Sequence, residues 1–207
     1  MGGRLVVWGS EQRDRRGATG RPAATSPHEL AAVAQRLFLE VGFEETSIDD
    51  IARAAGIGRR TFFRYFGSKA DVLFVESPTE LAGLRRGLAA ADPDEPCRAV
   101  VTRAVLAALH HPPQDREWAL QRAQLVLGVP ALAAHTAVVF SQWCRAVTEY
   151  ARTRSCEDPY YAEALGHAVV AAAVAAHAHW IAHPETELAD ALRGMLGLLL
   201  PAESPGR

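Results

Sequence analysis

The twenty-six residues 46–71, TSIDDIARAAGIGRRTFFRYFGSKAD, constrain the fold more than any other stretch of the chain. Thr46 or Ser47 caps a short helix, with Asp49 and Asp50 in its first turn, where the helix dipole favours carboxylates. Gly56 ends that helix, and a second short helix runs from about Gly58 to Tyr65. Two short helices around a tight glycine turn have the geometry of a helix-turn-helix, whose second helix can enter the major groove of DNA. Ile48, Ile51, Ile57, Phe62, Phe63 and Phe66 form the expected inner face, with help from Leu37 and Phe38. Arg59, Arg60, Thr61 and Arg64 are left outside.

An arginine-rich helix taken alone is more often a solvated surface than a DNA reader. Here the glycine turn, two preceding helices of suitable length and the aromatic stop at Phe66-Gly67 favour the reader. Arg59, Arg60 and Arg64 are the expected base contacts, because a guanidinium can bond guanine O6 and N7 together. Thr61, Tyr65 and Lys69 are expected to anchor phosphates. The backbone N–H groups of Thr46 and Ser47, at a helix start, are further expected phosphate donors. Gly58 occupies the cap of the reading helix.

The rest of the chain also reads as helical. Ser26-Pro27-His28-Glu29 is a capping box with proline at the first helical position, and Gly42 stops the helix it opens. A fourth helix is expected to open at Ser68-Lys69-Ala70-Asp71 and run towards Ala91. Prolines then punctuate helices over about 97–110, 115–129, 130–155, 158–183 and 185–200. No alternating strand and no repeat is evident, so the expected class is all-α. The expected organisation is a flexible basic arm over 1–25, a DNA-binding head over 26–72, an effector-binding and dimerisation body over 73–201, and a disordered tail over 202–207.

The net charge of −2 does not advertise a nucleic-acid binder. It is unevenly spread, however: residues 1–69 carry 11 basic against 8 acidic groups, and residues 70–207 carry 11 against 16. A basic head on an acidic body turns one face towards phosphate. Cys97, Cys144 and Cys156 are odd in number and widely spaced, which argues against a disulfide framework and for a cytoplasmic protein. The Ala/Val run 168–178, interrupted by His177 and flanked by His167 and His179, is expected not to cross a membrane.

In the body, the small-residue run 168–178 and the Leu/Gly-rich run 191–200 are the expected homodimer helices, since small residues allow close helix approach. A small-molecule cavity is expected between the fourth helix and the helices over about 97–150. Its candidate lining is Leu84, Val105, Leu109, Trp118, Gln121, Leu125, Phe140 and Trp143, a largely apolar wall with few polar groups. Arg122 and Arg145 are candidates to meet a ligand phosphate or carboxylate. His179 and His183 could share a helix face, but nothing completes a metal site, and no metal or cofactor is expected. GxSxG, phosphate-loop and HExxH signatures are missing from the sequence, so no catalytic residue is assigned.

Residues 26–74 resemble the DNA-binding domain of the TetR family of bacterial transcriptional regulators, through the 46–71 signature quoted above. The resemblance implies a homodimer, a three-helix reading head and a helical body that binds an effector. Two positions depart from the family pattern: Phe63 stands where Tyr is frequent, and Gly58 where Ser or Ala is common. Within the family the chain is most similar to the mycofactocin-system regulators, through GIGRRTFFRYFGSKAD in the head and WALQRAQLVLGVPALAAH in the body. That subgroup implies an acyl-coenzyme A effector. The reading is a ligand-responsive repressor of a palindromic double-stranded DNA operator. The alternative is an apolar-ligand sensor or carrier that does not act through DNA.

Overall fold

The computed structural model describes residues 26–154 and 160–202, and the expectations for residues 1–25 and 203–207 and for Cys156 lie outside them. Nine α-helices and three short 3-10 turns make up the described residues, with no strand among them. The order is α1 (Pro27–Glu40), α2 (Ile48–Ala54), α3 (Arg59–Tyr65), α4 (Ser77–Ala89), α5 (Cys97–Ala108), α6 (Arg116–Gly128), α7 (Ala133–Thr153), α8 (Tyr161–Ala182) and α9 (Leu188–Leu199).

Local chemistry sets the first three helices. Ser26 and Glu29 close a reciprocal capping box on α1, at 3.1 and 3.0 Å. After α1 the chain turns at Gly42, whose φ of +111° an L side chain rarely adopts. Ser47, not Thr46, caps α2, and Asp50 completes its capping box. Gly56, at φ +68°, ends α2: its N–H reaches the carbonyl of Arg53 at 3.2 Å, and the Ile57 N–H reaches that of Ala52 at 2.9 Å. These two bonds form a Schellman motif and fix the angle between α2 and α3.

The expected fourth helix is broken. Residues Ala70–Phe74 form a 3-10 turn, and the α-helix starts only at Ser77. Pro78 accounts for the restart, because proline has no N–H to bond a carbonyl four residues back and so fits only the first turn of a helix.

Two apolar clusters organise the molecule. The head cluster gathers Leu30, Phe38, Phe43, Ile51, Phe62 and Phe66. It also takes in Leu73 from the 3-10 turn, Leu125 from α6 and Leu132 from the α6–α7 corner, so body residues complete the head's core. The body cluster runs through α4, α5, α7, α8 and α9 around Leu84, Val105, Trp143, Leu165 and Leu192. At Gly166, α8 presses on α7: a Cβ there would overlap Thr148 Oγ1 and lie 2.7 Å from the Cys144 carbonyl.

The Ala/Val run is the middle of α8, whose 22 residues are long and apolar enough on length and composition to cross a membrane. The helix's fully buried residues Leu165, Val169, Ala172 and Ala176 belong to the body cluster, as those of a core helix do.

Candidate nucleic-acid interface and ligand cavity

Helix α3 presents its polar face outward. Arg59, Arg60, Phe63 and Arg64 are exposed, Thr61 and Tyr65 half-buried, and Phe62 fully buried. The expected inner face is corrected at one position. Phe63 is 44% exposed because Phe62 and Phe66, one helical turn apart, point inward and leave the intervening ring outside. It stands edge-on to Phe62 at 5.6 Å, with the Arg59 guanidinium 5.3 Å from its centroid.

The three candidate base-reading arginines differ in their bonding. Arg59 is held to Asp49 of α2 at 2.9 Å, and Arg64 bonds the Tyr65 hydroxyl at 3.1 Å. Arg60 makes no ion pair or side-chain hydrogen bond among the described residues. It is the guanidinium that can meet a base edge without first giving up a partner.

Two predicted phosphate anchors have internal roles. Thr46 is buried and its hydroxyl donates to the Gly42 carbonyl at 2.6 Å. The Lys69 ammonium donates to the carbonyls of Phe43, Glu44 and Thr46, at 2.5, 3.2 and 3.1 Å, and lies 4.4 Å from the Phe43 ring centre. The lysine thus braces the α1–α2 turn. Ser47 is exposed, with its N–H and hydroxyl both bonded to Asp50. Gly58 is exposed, and a side chain there would meet nothing within 4 Å.

The body holds a cavity of about 90 Å³, walled by the 3-10 turn, α4, the residues after α5, α6, α7 and α8. Leu109, Arg122, Phe140 and Trp143 of the sequence-predicted lining reach it. Leu84 and Val105 instead lie in the body core, and Leu125 in the head core. The Trp118 ring packs against the body core, and Gln121 faces α1, where the Gln35 side chain, only 2% exposed, bonds the Trp118 carbonyl at 3.0 Å and Gln121 Oε1 at 3.4 Å. Arg145 is exposed and 3.9 Å from Glu149. The sequence reading missed Phe74, Glu80, His111, Thr136 and His177.

Four of these groups make one polar wall. Arg122 Nη2 bonds Glu80 Oε1 at 2.5 Å, and both side chains are largely buried. Arg122 also lies over Trp118 at 5.4 Å, and its Nη1 is buried with no hydrogen-bond partner among the described residues. Burial pushes the His111 imidazole down to about 4, assisted by the charge of Arg122. Burial pushes His177 down as well, against the opposing effect of its Nδ1 contact with the Ala173 carbonyl at 2.7 Å. That contact assigns the proton to Nδ1. Both imidazoles are therefore neutral near pH 7. His179 and His183 stack on each other at 4.3 Å, and no group that could hold a metal ion occurs among the described residues.

Comparison with known proteins places both regions. Residues 30–75 match the family model of bacterial regulatory proteins of the tetR family, and residues 95–203 match that of the MftR C-terminal domain. The chain is 31% identical over 175 residues to a protein of Mycobacterium tuberculosis named as the mycofactocin biosynthesis transcriptional regulator MftR, covering 84% of this chain and 88% of that one. The head alone is 44% identical over 66 residues to the regulator EthR of Mycolicibacterium smegmatis, covering 31% of this chain and 30% of that one. Among solved structures, FadR of Thermus thermophilus in complex with lauroyl-CoA aligns with a TM-score of 0.55 and 24% identity, over 88% of this chain and all of that one. A TetR-family regulator of Syntrophomonas wolfei aligns with a TM-score of 0.64 and 15% identity, over 83% and 92%. The helix-turn-helix head and the helical body thus match models of the same group, and the chain belongs to the tetR family of bacterial transcriptional regulators.

Proposed function

We propose that the protein is a homodimeric, ligand-responsive repressor of a palindromic DNA operator, released when an apolar effector enters the body cavity. One observation carries this reading. The segment joining head to body, from the 3-10 turn into α4, serves both sites: Leu73 packs in the head core, and Leu73, Phe74, Ser77 and Glu80 all border the cavity. A ligand that repositions this segment moves the reading head. Two heads must meet major grooves about one helical turn apart, roughly 34–36 Å, so a small pivot is enough to lose one of them. The effector acts only to the extent that it prefers the released geometry.

Exposed Ala164, Ala171 and Ala178 on α8, with exposed Gly194, Gly197 and Leu198 on α9, supply a small-residue face that suits pairing with a second copy. The effector is an acyl-coenzyme A, whose acyl chain the apolar wall of the cavity suits. FadR of Thermus thermophilus was crystallised with lauroyl-CoA. The cytoplasm is the expected site of action for such a regulator.

The direct test is a mobility-shift titration with DNA from upstream of the protein's own gene, repeated with an added acyl-coenzyme A. A retarded band that the effector abolishes is expected. Absence of any retarded band with neighbouring intergenic DNA would overturn the assignment.

A further inference from the structure

The polar wall of the cavity has a charge balance that restricts its ligands, and this inference rests on the cavity being the effector site. Glu80, His111, Arg122 and His177 are the only ionisable side chains among its described lining residues. The one cation is matched by the one anion at 2.5 Å, and both imidazoles are neutral near pH 7. The wall as a whole is therefore uncharged.

A carboxylate entering this wall would find the guanidinium already paired and would face Glu80. It would surrender its hydration for little return, and removing an ion from water costs several kcal/mol when pairing is incomplete. A neutral carbonyl incurs no such charge cost. It offers the acceptor that the wall lacks, because Arg122 Nη1 has none among the described residues. An unsatisfied charged donor is costly, so supplying its acceptor is favourable. The Nδ1 bond of His177 leaves Nε2 as an acceptor for a ligand hydroxyl or amide N–H.

We propose that the Glu80–Arg122 pair makes the cavity select apolar ligands whose inner polar group is an uncharged carbonyl (ester, thioester or amide) over the matching free carboxylate.

The test uses the full-length protein with Nile red as a neutral probe, displaced at pH 8 by methyl dodecanoate or by dodecanoate. The ester is expected to displace the probe at roughly tenfold lower concentration, the difference that one charged hydrogen-bond partner makes. A merely apolar cavity would also prefer the ester, so the Glu80→Gln protein decides. With Arg122 freed of its counter-charge, the preference should shift towards dodecanoate. An unchanged preference overturns the proposal. Equal or stronger displacement of the probe by dodecanoate from the unmodified protein also overturns it, while leaving the cavity reading intact. No displacement by either ligand overturns both. If Glu80→Gln does not fold, the carbonyl stretch of bound methyl dodecanoate in the unmodified protein settles the matter. A shift to lower wavenumber than in alkane is expected, and an unshifted band overturns the proposal.

Discussion

The head and the body use charged groups in opposite ways. In the head, the ion pairs of α2 and α3 join residues near in sequence and lie in solvent: Asp50 with Arg53, and Arg59 with Asp49 ten residues away. In the body, the decisive pair joins Glu80 to Arg122, 42 residues apart, and is withdrawn from water. Exposed pairs are individually worth little and exchange readily for other partners. A buried pair is hard to break and is sensitive to whatever is placed beside it. The head is thus suited to trading its partners for DNA, and the body to registering a change in its own interior.

The largest effect is expected where that contrast is sharpest. Arg122→Ala leaves Glu80 buried without its partner and should cost about 3 kcal/mol of stability in chemical denaturation, whereas Arg59→Ala should leave the denaturation midpoint almost unmoved. In DNA binding the order should reverse. Arg60→Ala is expected to weaken operator binding roughly 10- to 100-fold in a mobility shift, with melting temperature and probe binding unchanged. Normal retardation by that variant would contradict the docking of α3.

Gly166→Ala tests whether the body tolerates crowding. The Cys144 backbone leaves no room for a Cβ, so a loss of about 1–3 kcal/mol is expected. Its head counterpart, Ser47→Ala, removes one side-chain cap and should cost about 1 kcal/mol.

A last contrast is the pH dependence of stability between about 4 and 6.5, which the body's buried histidines create and the head's exposed ions do not. His111 is held near 4 in the folded protein against 6.5 for the free side chain, so the unfolded chain takes up its proton first as pH falls. The stability that neutral His111 permits is present above about 6.5 and declines down to about 4, and His177 acts in the same direction. His111→Gln should flatten the slope of melting temperature against pH across that window. A slope identical to that of the parent would place its origin elsewhere.

The same contrast decides what could be read from sequence. Helices α1 to α3 were legible because their determinants lie within four residues of one another: capping boxes, glycine ends and apolar spacing. Phe63 escaped because an aromatic run suggests a continuous inner face, and only the helical angle separates it from Phe62 and Phe66. The role of Lys69 was hidden because its three acceptors are backbone carbonyls 23–26 residues earlier. In the body, Leu84 and Val105 could not be told apart from Leu109 and Phe140, since a core wall and a cavity wall use the same residues. In the sequence, His111 follows a helix end and His177 interrupts the Ala/Val run. What makes them part of one wall is the packing of α6, which carries Arg122, against α8, which carries His177, beside the residues that follow α5.

Leu125 and Leu132 close the core of a head that ends some fifty residues before them. Cutting the chain after the reading helices would therefore strip that core of part of its lining. A chimera carrying this head on another regulator's body would meet a foreign surface at the same place. The specificity of the head travels as a unit with the corner between α6 and α7, so recombination within the family is constrained by packing rather than by the linear limits of the DNA-reading motif.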